Sequence, residues 1–300
     1  MTTASSTPSP TPGRLPRSYL YVPGNAPDKL GKALTRGADA LIVDLEDAVP
    51  PAGKDAARRA VADWLGTRAP ARGTELWVRI NGGEAGHEDV RALAGLPALT
   101  GLVLAKAEDA AQVAAVAALL ADLGDVTARL MPLLETAGAI LDVRDIARAP
   151  RVHRLQIGEV DLAADAGLDP GPDEAELAFA RSMAIMASAA AGLPPPVGPV
   201  SAITADPAAL AESTERVRRQ GFVGRACIHP AQLPVVHEVF TPSAPEIARA
   251  EDVLARYEAA AAAGSGVVLD ADGRLIDAAV IRLARRTLAT SGLGPSITPK

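Results

Sequence analysis

Short apolar runs recur along the chain, and each is followed by polar or turn-forming residues. The first run, residues 18–22, ends at the cluster Pro23-Gly24-Asn25, which is typical of a buried strand that leads into a loop. Seven later runs have the same character. We predict that they are also strands, at residues 40–43, 75–80, 102–105, 129–134, 155–157, 197–203 and 226–228.

The segments between these runs carry signals for helix starts and helix ends. Pro27 lies at the start of the segment 27–36 and Gly37 follows its last residue, which are the positions where helices favour Pro and Gly. Asp109 and Gly124 are the N-cap and the C-terminal signal of a later helix. Further helices are predicted at 52–65, 173–191 and 207–220.

The alternation of strand and helix predicts the fold class. Strands separated by helices pair in parallel through right-handed crossovers. Eight of them in one chain favour a closed (β/α)8 barrel over an open sheet. No GxGxxG or GxxxxGK[ST] motif follows a predicted strand, which argues against a nucleotide-binding sheet. We therefore expect an α/β protein built on a TIM barrel.

The end of the chain differs in character from the barrel. A helix is predicted at 244–263, and two short strands at 267–269 and 274–276 flank Asp272-Gly273, a two-residue hairpin signal. A last helix covers 277–291. Because a barrel closes without these elements, we predict that they pack on a neighbouring subunit. The predicted organisation is a disordered tail (1–15), a catalytic barrel (16–240) and a C-terminal extension (241–300).

Composition narrows the functional classes. Hydrophobic residues make up 48% of the 300 positions, which is enough for a sizeable core. The net charge of −6 provides no global basic surface for nucleic acid or an anionic membrane. The single cysteine, Cys227, excludes an internal disulfide framework and a CxxC zinc site. No signal peptide or membrane-spanning segment is recognised, so we expect a cytoplasmic protein.

Charged residues cluster where the predicted strands end. The five segments in which they do so are Asp44-Leu45-Glu46-Asp47, Arg79-Ile80-Asn81, Lys106, Glu135 and Gly158-Glu159-Val160-Asp161. In a barrel these positions converge on one rim, where functional groups lie. Two carboxylates from adjacent strands suit a hard cation such as Mg²⁺, and the lack of an accompanying histidine disfavours zinc.

Each of these residues also has a structural interpretation when it is taken alone. Glu135 and Asp161 are acids at helix starts, where the helix dipole favours negative charge. Arg79 lies in a strand between apolar residues and is a candidate for a structural ion pair. Their coincidence at one predicted rim favours the functional interpretation.

Eight motifs occur in order and resemble one family, the citrate-lyase-β-like branch of the HpcH/HpaI aldolase superfamily, the CoA-ester lyases. They are RSYLYVPGN (17–25), ADALIVDLEDAV (38–49), KDAAR (54–58), VRIN (78–81), LAKAED (104–109), LLETAGAI (133–140), GEVDLAADAG (158–167) and ACIHPAQL (226–233). The resemblance implies a TIM barrel, a Mg²⁺ site and cleavage or Claisen-type formation of malyl-CoA, citramalyl-CoA, citryl-CoA or a related 3-hydroxyacyl-CoA. The expected small molecules are an acyl-CoA and a 2-keto acid.

The resemblance also assigns roles to individual residues. Glu135 and Asp161 match the protein ligands of Mg²⁺, with Mn²⁺ as an alternative metal. Arg79 matches the residue that grips the carboxylate of the keto-acid half. Glu46 and Asp47 match residues that lie behind the water molecules bound to the metal.

Four further residues are assigned in the same way. Arg17, Lys29 and Arg58 resemble positions near the phosphates of CoA. Asp277 resembles an acid that enters the active site of a neighbouring subunit in a homotrimer or hexamer, although an aspartate there is equally typical of a helix N-cap.

One segment departs from the family pattern. Many relatives have I-D-G-V in the seventh strand, where this chain has Val197-Gly198-Pro199-Val200. The acid is missing, which leaves the acyl substrate open. Three other functions also stay open, namely a malyl-CoA thioesterase, the β subunit of a citrate lyase complex and a non-catalytic acyl-CoA-binding barrel.

Overall fold

The computed structural model describes residues 15–69, 73–262 and 268–291. Except for Leu15, the tail predicted at 1–15 lies outside these residues. Among them, no helix is long and apolar enough to cross a membrane. The strands are β1 (Ser18–Pro23), β2 (Ala40–Asp44), β3 (Glu75–Ile80), β4 (Gly101–Leu104), β5 (Arg129–Leu134), β6 (Gln156–Ile157) and β7 (Arg225–Cys227).

Helices follow the strands and surround them. They are α1 (Pro27–Ala33), α2 (Lys54–Gly66), α3 (Gly83–Leu93), α4 (Ala110–Asp122), α5 (Ala137–Leu141), α6 (Val143–Ile146), α7 (Glu159–Ala166), α8 (Ala178–Ala190), α9 (Pro207–Gln220), α10 (Leu233–Phe240), α11 (Ala244–Ala262) and α12 (Ala278–Ser291).

The strands form one parallel sheet in the order β6-β5-β4-β3-β2-β1-β7. The sheet closes through the segment predicted as a seventh strand at 197–203. Val197 bridges to Gln156 of β6, and Gly198 bridges to Arg225 of β7, both in parallel. Prolines lack a backbone donor, and Pro196 and Pro199 flank these two residues, so pairing stops there. The TIM barrel is therefore confirmed. The strand predicted at 197–203, which closes it, is reduced to these two bridges.

Alternation along each strand divides the core into two layers. In β2, Ala40 and Ile42 face the interior of the barrel, where they join Trp77 and Met131. Leu41 and the other strand residues that point away from the barrel interior contribute to a larger apolar layer between the sheet and the helices. Both faces of the sheet are thus buried, as parallel sheets require, and the polar chemistry is confined to the strand ends.

The predicted helix at 173–191 begins later than expected. Glu174 has a positive φ of 57°, which interrupts right-handed helical geometry. A 3-10 turn at Ala175–Leu177 follows it, and α8 starts only at Ala178. The carboxylate of Glu174 binds Arg181 and Ser213, and these side-chain contacts hold it at the corner. The sequence analysis also did not predict α3, α7 and α10.

The C-terminal elements form a hairpin and two packed helices. Leu269 pairs with Leu275 in antiparallel fashion, and the Arg274 carbonyl accepts a hydrogen bond of 2.8 Å from the backbone N–H of Asp270. The loop therefore has three residues rather than the predicted two. Helices α11 and α12 share a separate apolar cluster, made up of Ala250, Val253, Ile276, Ile281 and Ala284.

Gly101, at the start of β4, packs closely against the neighbouring strands β3 and β5 and leaves no room for a side chain. A Cβ atom there would lie 2.3 Å from the Arg129 carbonyl oxygen and 2.6 Å from Cζ3 of Trp77. We expect Gly101→Ala to lower the free energy of unfolding by about 1–3 kcal/mol, measured by urea denaturation. Gly31→Ala in α1 is the control, because its Cβ would contact nothing within 4 Å. The control should be neutral or stabilising by up to about 1 kcal/mol; equal effects of the two substitutions would contradict the packing argument.

Candidate active site

A cavity of about 400 Å³ opens at the carboxyl ends of the strands. Most of its polar lining comes from the ends of β1, β2, β3, β5 and β6 and from the first turn of α7. These polar residues are Tyr21, Asp44, Asp47, Arg79, Glu135, Gln156, Glu159 and Asp161. The structure therefore brings together the metal-ligand pair, the arginine and one of the two loop acids that the sequence analysis selected.

Arg79 lies in a cage of carboxylates. The register of β2 and β3 places it beside Asp44, and its Nε and Nη2 donate hydrogen bonds of 2.7 and 2.6 Å to the two Asp44 oxygens. Nη1 lies 3.0 Å from Oε2 of Glu46 and donates to Asp47 at 3.3 Å. Asp44 occupies one whole edge of the guanidinium, so a substrate can reach only the Nη1 and Nη2 end.

The loop after β2 is held by its own acid and by a lysine. Asp44 accepts hydrogen bonds from the backbone N–H groups of Glu46 and Ala48, at 2.9 and 3.1 Å. Nζ of Lys54 donates to the carbonyl oxygens of Leu45 and Glu46 at 2.8 and 2.5 Å. These bonds fix where the Glu46 and Asp47 side chains leave the loop.

Glu135 is the buried acid of the cavity, with 2% of its surface exposed. Its Oε1 accepts a hydrogen bond of 2.5 Å from the backbone N–H of Lys106. The pKa of Glu135 is raised to about 7, first by burial and then by the charges of Asp161 and Glu46, against the lowering effects of that hydrogen bond and of Arg79. The carboxylate form is therefore destabilised unless a cation lies close to it.

Gly158 makes room for Glu135. A Cβ atom at this position would lie 2.9 Å from Cβ of Glu135 and 3.0 Å from its Oε2. The glycine that opens the GEVDL motif thus lets the chain turn from β6 into α7 directly against the acid. That turn places Asp161, an exposed residue of the first turn of α7, on the wall of the same cavity.

The two acids fit a divalent cation that takes its other ligands from elsewhere. Within the described ranges, no group of three or more His, Cys, Asp or Glu side chains is arranged to hold a metal alone. Mg²⁺ is usually bound by one or two carboxylates, with water and substrate oxygens completing an octahedron. Glu135 and Asp161 meet that requirement. The pKa of Glu135, raised first by burial and then by the nearby acids, shows that its negative charge is not fully compensated.

Lys106 contributes charge rather than a nucleophile. Its Nζ donates a hydrogen bond of 2.8 Å to Oε1 of Glu46, and this bond raises the pKa of the lysine. An amine held as an ammonium ion does not attack a carbonyl carbon. The positive φ of Lys106, 52°, turns its backbone N–H toward Glu135 and its side chain toward Glu46.

Comparison with known proteins identifies the family. The sequence model of the HpcH/HpaI aldolase/citrate lyase family matches residues 17–230, which include every strand of the barrel. The chain belongs to this family.

Relatives within the family share most of their length with this chain. It is 37% identical to a (3S)-malyl-CoA thioesterase of Cereibacter sphaeroides, covering 91% of this chain and 93% of the relative. It is 32% identical to an L-malyl-CoA/beta-methylmalyl-CoA lyase of Rhodobacter capsulatus, covering 92% and 94%. The structure of CitE from Mycobacterium tuberculosis with magnesium, acetoacetate and coenzyme A superposes with a TM-score of 0.74 at 29% identity, covering 95% and 98%.

These similarities establish the enzyme class. Lyases that act on carbon–carbon bonds are members of the HpcH/HpaI aldolase/citrate lyase family, and this chain is an enzyme of that class. Its structural neighbour contains magnesium, in agreement with a divalent metal at the acidic cavity.

Two residues predicted to bind CoA, Arg17 and Arg58, do not line the cavity. Arg17 precedes β1, at the opposite end of the barrel, and its Nε and Nη2 donate to Asp39 at 2.8 and 3.0 Å. Arg58 is 9% exposed; its guanidinium binds Asp89 at 2.7 Å and Asp55 at 2.8 Å. Carboxylates of the same chain bind both guanidinium groups, and contact of Arg17 or Arg58 with CoA stays a prediction.

Lys29 and Asp277 are both exposed and line no part of the cavity. Lys29 lies in α1, which follows the carboxyl end of β1, and so remains at the rim on the side of the site. Asp277 precedes α12, and its Oδ1 accepts hydrogen bonds of 2.8 and 2.9 Å from the N–H groups of Ala279 and Val280. It is therefore an N-cap within its own chain.

The sequence analysis assigned no individual role to four residues of this site. Asp44 and Lys54 lie inside motifs that it quoted, and the pairing of neighbouring strand ends would have linked Asp44 to Arg79. Tyr21 and Gln156 line the cavity on β1 and β6. Gln156 was detectable as a polar residue between Leu155 and Ile157 in an otherwise apolar run.

The raised pKa of Glu135 predicts how a substitution changes stability. A carboxyl whose folded pKa of about 7 exceeds its ordinary value of 4.5 destabilises the folded state as pH rises through that range. In EDTA at pH 8 we therefore expect Glu135→Gln to raise the melting temperature by roughly 5 °C. Well below pH 4.5, where the carboxyl is protonated in both states, the gain should vanish.

Glu212→Gln, at an exposed glutamate of α9, is the matched control and should show no such pH dependence. Adding Mg²⁺ at pH 8 should stabilise the parent chain and not Glu135→Gln. A Glu135→Gln protein that is less stable than its parent in EDTA at pH 8 would contradict the assignment of excess negative charge.

Proposed function

We propose that the protein is a Mg²⁺-dependent CoA-ester lyase. It would cleave a 3-hydroxyacyl-CoA such as malyl-CoA, citramalyl-CoA or citryl-CoA into an acyl-CoA and a 2-keto acid, or catalyse the reverse condensation. The observation that carries the proposal is the meeting of Glu135, Asp161 and Arg79 around one cavity. The lyase of R. capsulatus and the magnesium-containing CitE structure support it.

The metal would be held by Glu135 and Asp161. When bound, Mg²⁺ supplies Lewis-acid polarisation of the substrate oxygens. Glu135 is oriented for this role by the backbone N–H of Lys106, which occupies Oε1. Asp161 is an exposed residue of the same cavity lining and can adjust to the ligand.

Arg79 would orient the carboxylate of the keto-acid half with its Nη1 and Nη2 groups. Charge-assisted hydrogen bonds of this kind are stronger than neutral ones and fix geometry. Asp44 holds the guanidinium from behind, and Glu46 is positioned by Arg79 and Lys106. Asp47, whose side chain is 59% exposed, is the loop acid that lines the cavity and can approach the substrate.

The bond changes follow from these positions. Loss of the proton from the 3-hydroxyl group turns that oxygen into the carbonyl of the 2-keto acid. The C2–C3 bond breaks, and its electron pair moves to C2 as the thioester enolate. A carboxylic acid then protonates C2. The thioester stabilises the enolate, so no Schiff base with Lys106 is needed.

A thioesterase is the second candidate, because the relative from C. sphaeroides with 37% identity carries that name. The two outcomes differ in their products. A lyase releases a keto acid and leaves the thioester intact, whereas a thioesterase releases free CoA and a hydroxy acid.

The experiment is a substrate panel with the purified chain. Malyl-CoA, citramalyl-CoA, citryl-CoA and 3-hydroxy-3-methylglutaryl-CoA are supplied with Mg²⁺ or with EDTA, and keto acid and free CoA are counted separately. We expect keto acid in excess of free CoA, with activity lost in EDTA and in Glu135→Gln. Free CoA without keto acid would establish the thioesterase. Activity only on an acyl-carrier thioester would establish the β subunit of a citrate lyase complex, and tight binding without turnover would establish a sensor.

We also propose that Asp277 supplies the acid that protonates C2 in the site of a neighbouring subunit, within a homotrimer or hexamer. Asp277 is exposed and does not line the cavity of its own chain, so a role in catalysis requires a second copy. Arg286 of the following helix, α12, donates a hydrogen bond of 2.9 Å to the Gly221 carbonyl oxygen. Gly221 precedes the amino end of β7, so this bond holds α12 away from the cavity of its own chain.

A mixing experiment tests this role. Asp277→Asn removes the acid and keeps an effective N-cap, so α12 should remain folded. Asp277→Asn and Glu135→Gln should each be nearly inactive. Random reassembly of equal amounts should make about a quarter of the sites intact and restore activity. A mixture that stays inactive despite verified subunit exchange, or full activity of Asp277→Asn alone, would reject the role.

A further inference from the structure

The floor of the cavity contains a polar pair in apolar surroundings. Tyr21 of β1 and Gln156 of β6 line the cavity together with Leu133 and Val200. Nε2 of Gln156 donates a hydrogen bond of 3.0 Å to Oη of Tyr21. Gln156 is 1% exposed, and it faces the barrel interior because its β5 partner, Leu133, belongs to the interior apolar cluster.

This pair has hydrogen-bonding capacity that the protein does not use. Oε1 of Gln156 is buried without a hydrogen-bond partner among the residues that the structure describes. Within the same ranges, the hydroxyl of Tyr21 bonds only to Gln156. With the amide as found, the hydroxyl proton of Tyr21 is free. With the amide reversed, the hydroxyl donates to Oε1 and the NH₂ group is free. A donor therefore remains in both arrangements.

Such a group lowers stability when it stays unpaired. A buried polar atom without a partner costs about 1–3 kcal/mol, and nearly all buried polar side-chain atoms in proteins have partners. Leucine would fill the position among Leu133 and Val200 without that cost. With the amide reversed, Oε1 accepts the hydroxyl proton of Tyr21 and the NH₂ group donates to a ligand oxygen, so a ligand oxygen completes the pair.

The position of the pair indicates which part of the substrate reaches it. The aromatic ring of Tyr21 lies under the guanidinium of Arg79, with 5.2 Å between the guanidinium carbon and the ring centroid. The floor is thus directly below the group that orients the keto-acid carboxylate. When its carboxylate binds Arg79, the keto-acid half is therefore the part of the substrate that lies nearest this pair.

We propose that Tyr21 and Gln156 form an oxygen-binding subsite that selects the 2-keto-acid half of the substrate. The subsite donates a hydrogen bond to a carboxylate or carbonyl oxygen of that half. It supplements Arg79, because Asp44 occupies one edge of the guanidinium. This inference rests on the proposed lyase function and names the two residues that give it specificity.

The test uses the condensation direction, in which the two substrates are varied separately. Gln156→Leu and Tyr21→Phe are compared with the parent chain on glyoxylate, pyruvate and oxaloacetate, each with a fixed acyl-CoA. We expect KM for the preferred keto acid to rise roughly tenfold or more in both variants. KM for the acyl-CoA should stay within about twofold. Met131→Leu, in the same interior cluster but outside the cavity lining, is the control and should change neither value.

Thermal stability separates a ligand-binding role from a structural one. Gln156→Leu should melt at the same temperature as the parent or higher, because it removes an unpaired buried oxygen. A lower melting temperature together with equal changes in both KM values would show a structural role and overturn the proposal. Unchanged KM values in Gln156→Leu would overturn it as well.

Binding measurements keep this inference separate from the proposed reaction. If the parent chain catalyses neither condensation nor cleavage, the lyase proposal fails. Calorimetric titration with pyruvate in the presence of Mg²⁺ then tests by itself whether the subsite binds a keto acid. Binding by the parent and by Met131→Leu that weakens roughly tenfold in Gln156→Leu would support the subsite. Equal binding by all three proteins, or none by the parent, would reject it.

Discussion

The buried ion pair of Asp44 and Arg79 is the interaction on which the rest of the site depends. A charged guanidinium inside a barrel is stable only when a partner satisfies its hydrogen bonds. The register of β2 and β3 supplies that partner, Asp44, at the carboxyl end of the neighbouring strand β2. Asp44 also accepts two hydrogen bonds from the loop that follows it. One carboxylate thereby fixes both the cation of the cavity and the loop that carries Glu46 and Asp47.

Because Asp44 already neutralises Arg79, the remaining acids exceed the remaining cations. Lys106 balances Glu46, which leaves Glu135, Asp161 and Asp47 around the same cavity. The charge of Asp161 adds to the effect of burial, which is the main reason that the pKa of Glu135 is raised to about 7. A dication relieves this imbalance, and an anionic substrate meets less repulsion once the dication is bound, so metal and substrate binding should reinforce each other.

The cavity therefore divides its chemistry by depth. Charged groups surround its upper wall, where a metal and a carboxylate compensate one another. Its floor is neutral, with the amide of Gln156 and the hydroxyl of Tyr21 between apolar side chains. Charge complementarity gives most of the attraction, whereas a buried hydrogen-bonding pair discriminates more sharply between related ligands, because a wrong ligand leaves it unpaired.

The sequence by itself determined the barrel and the order of its charged segments, because alternating apolar runs and helix signals are local and each strand end is readable. It also determined the grouping of Glu135, Asp161 and Arg79, since parallel strands end at one rim. Only the tertiary structure decided that Asp39, Asp55 and Asp89 bind Arg17 and Arg58, that Asp44 occupies an edge of Arg79, and that Oε1 of Gln156 has no hydrogen-bond partner among the described residues. Ion pairs and unpaired atoms depend on distances between segments far apart in sequence, which no local pattern encodes.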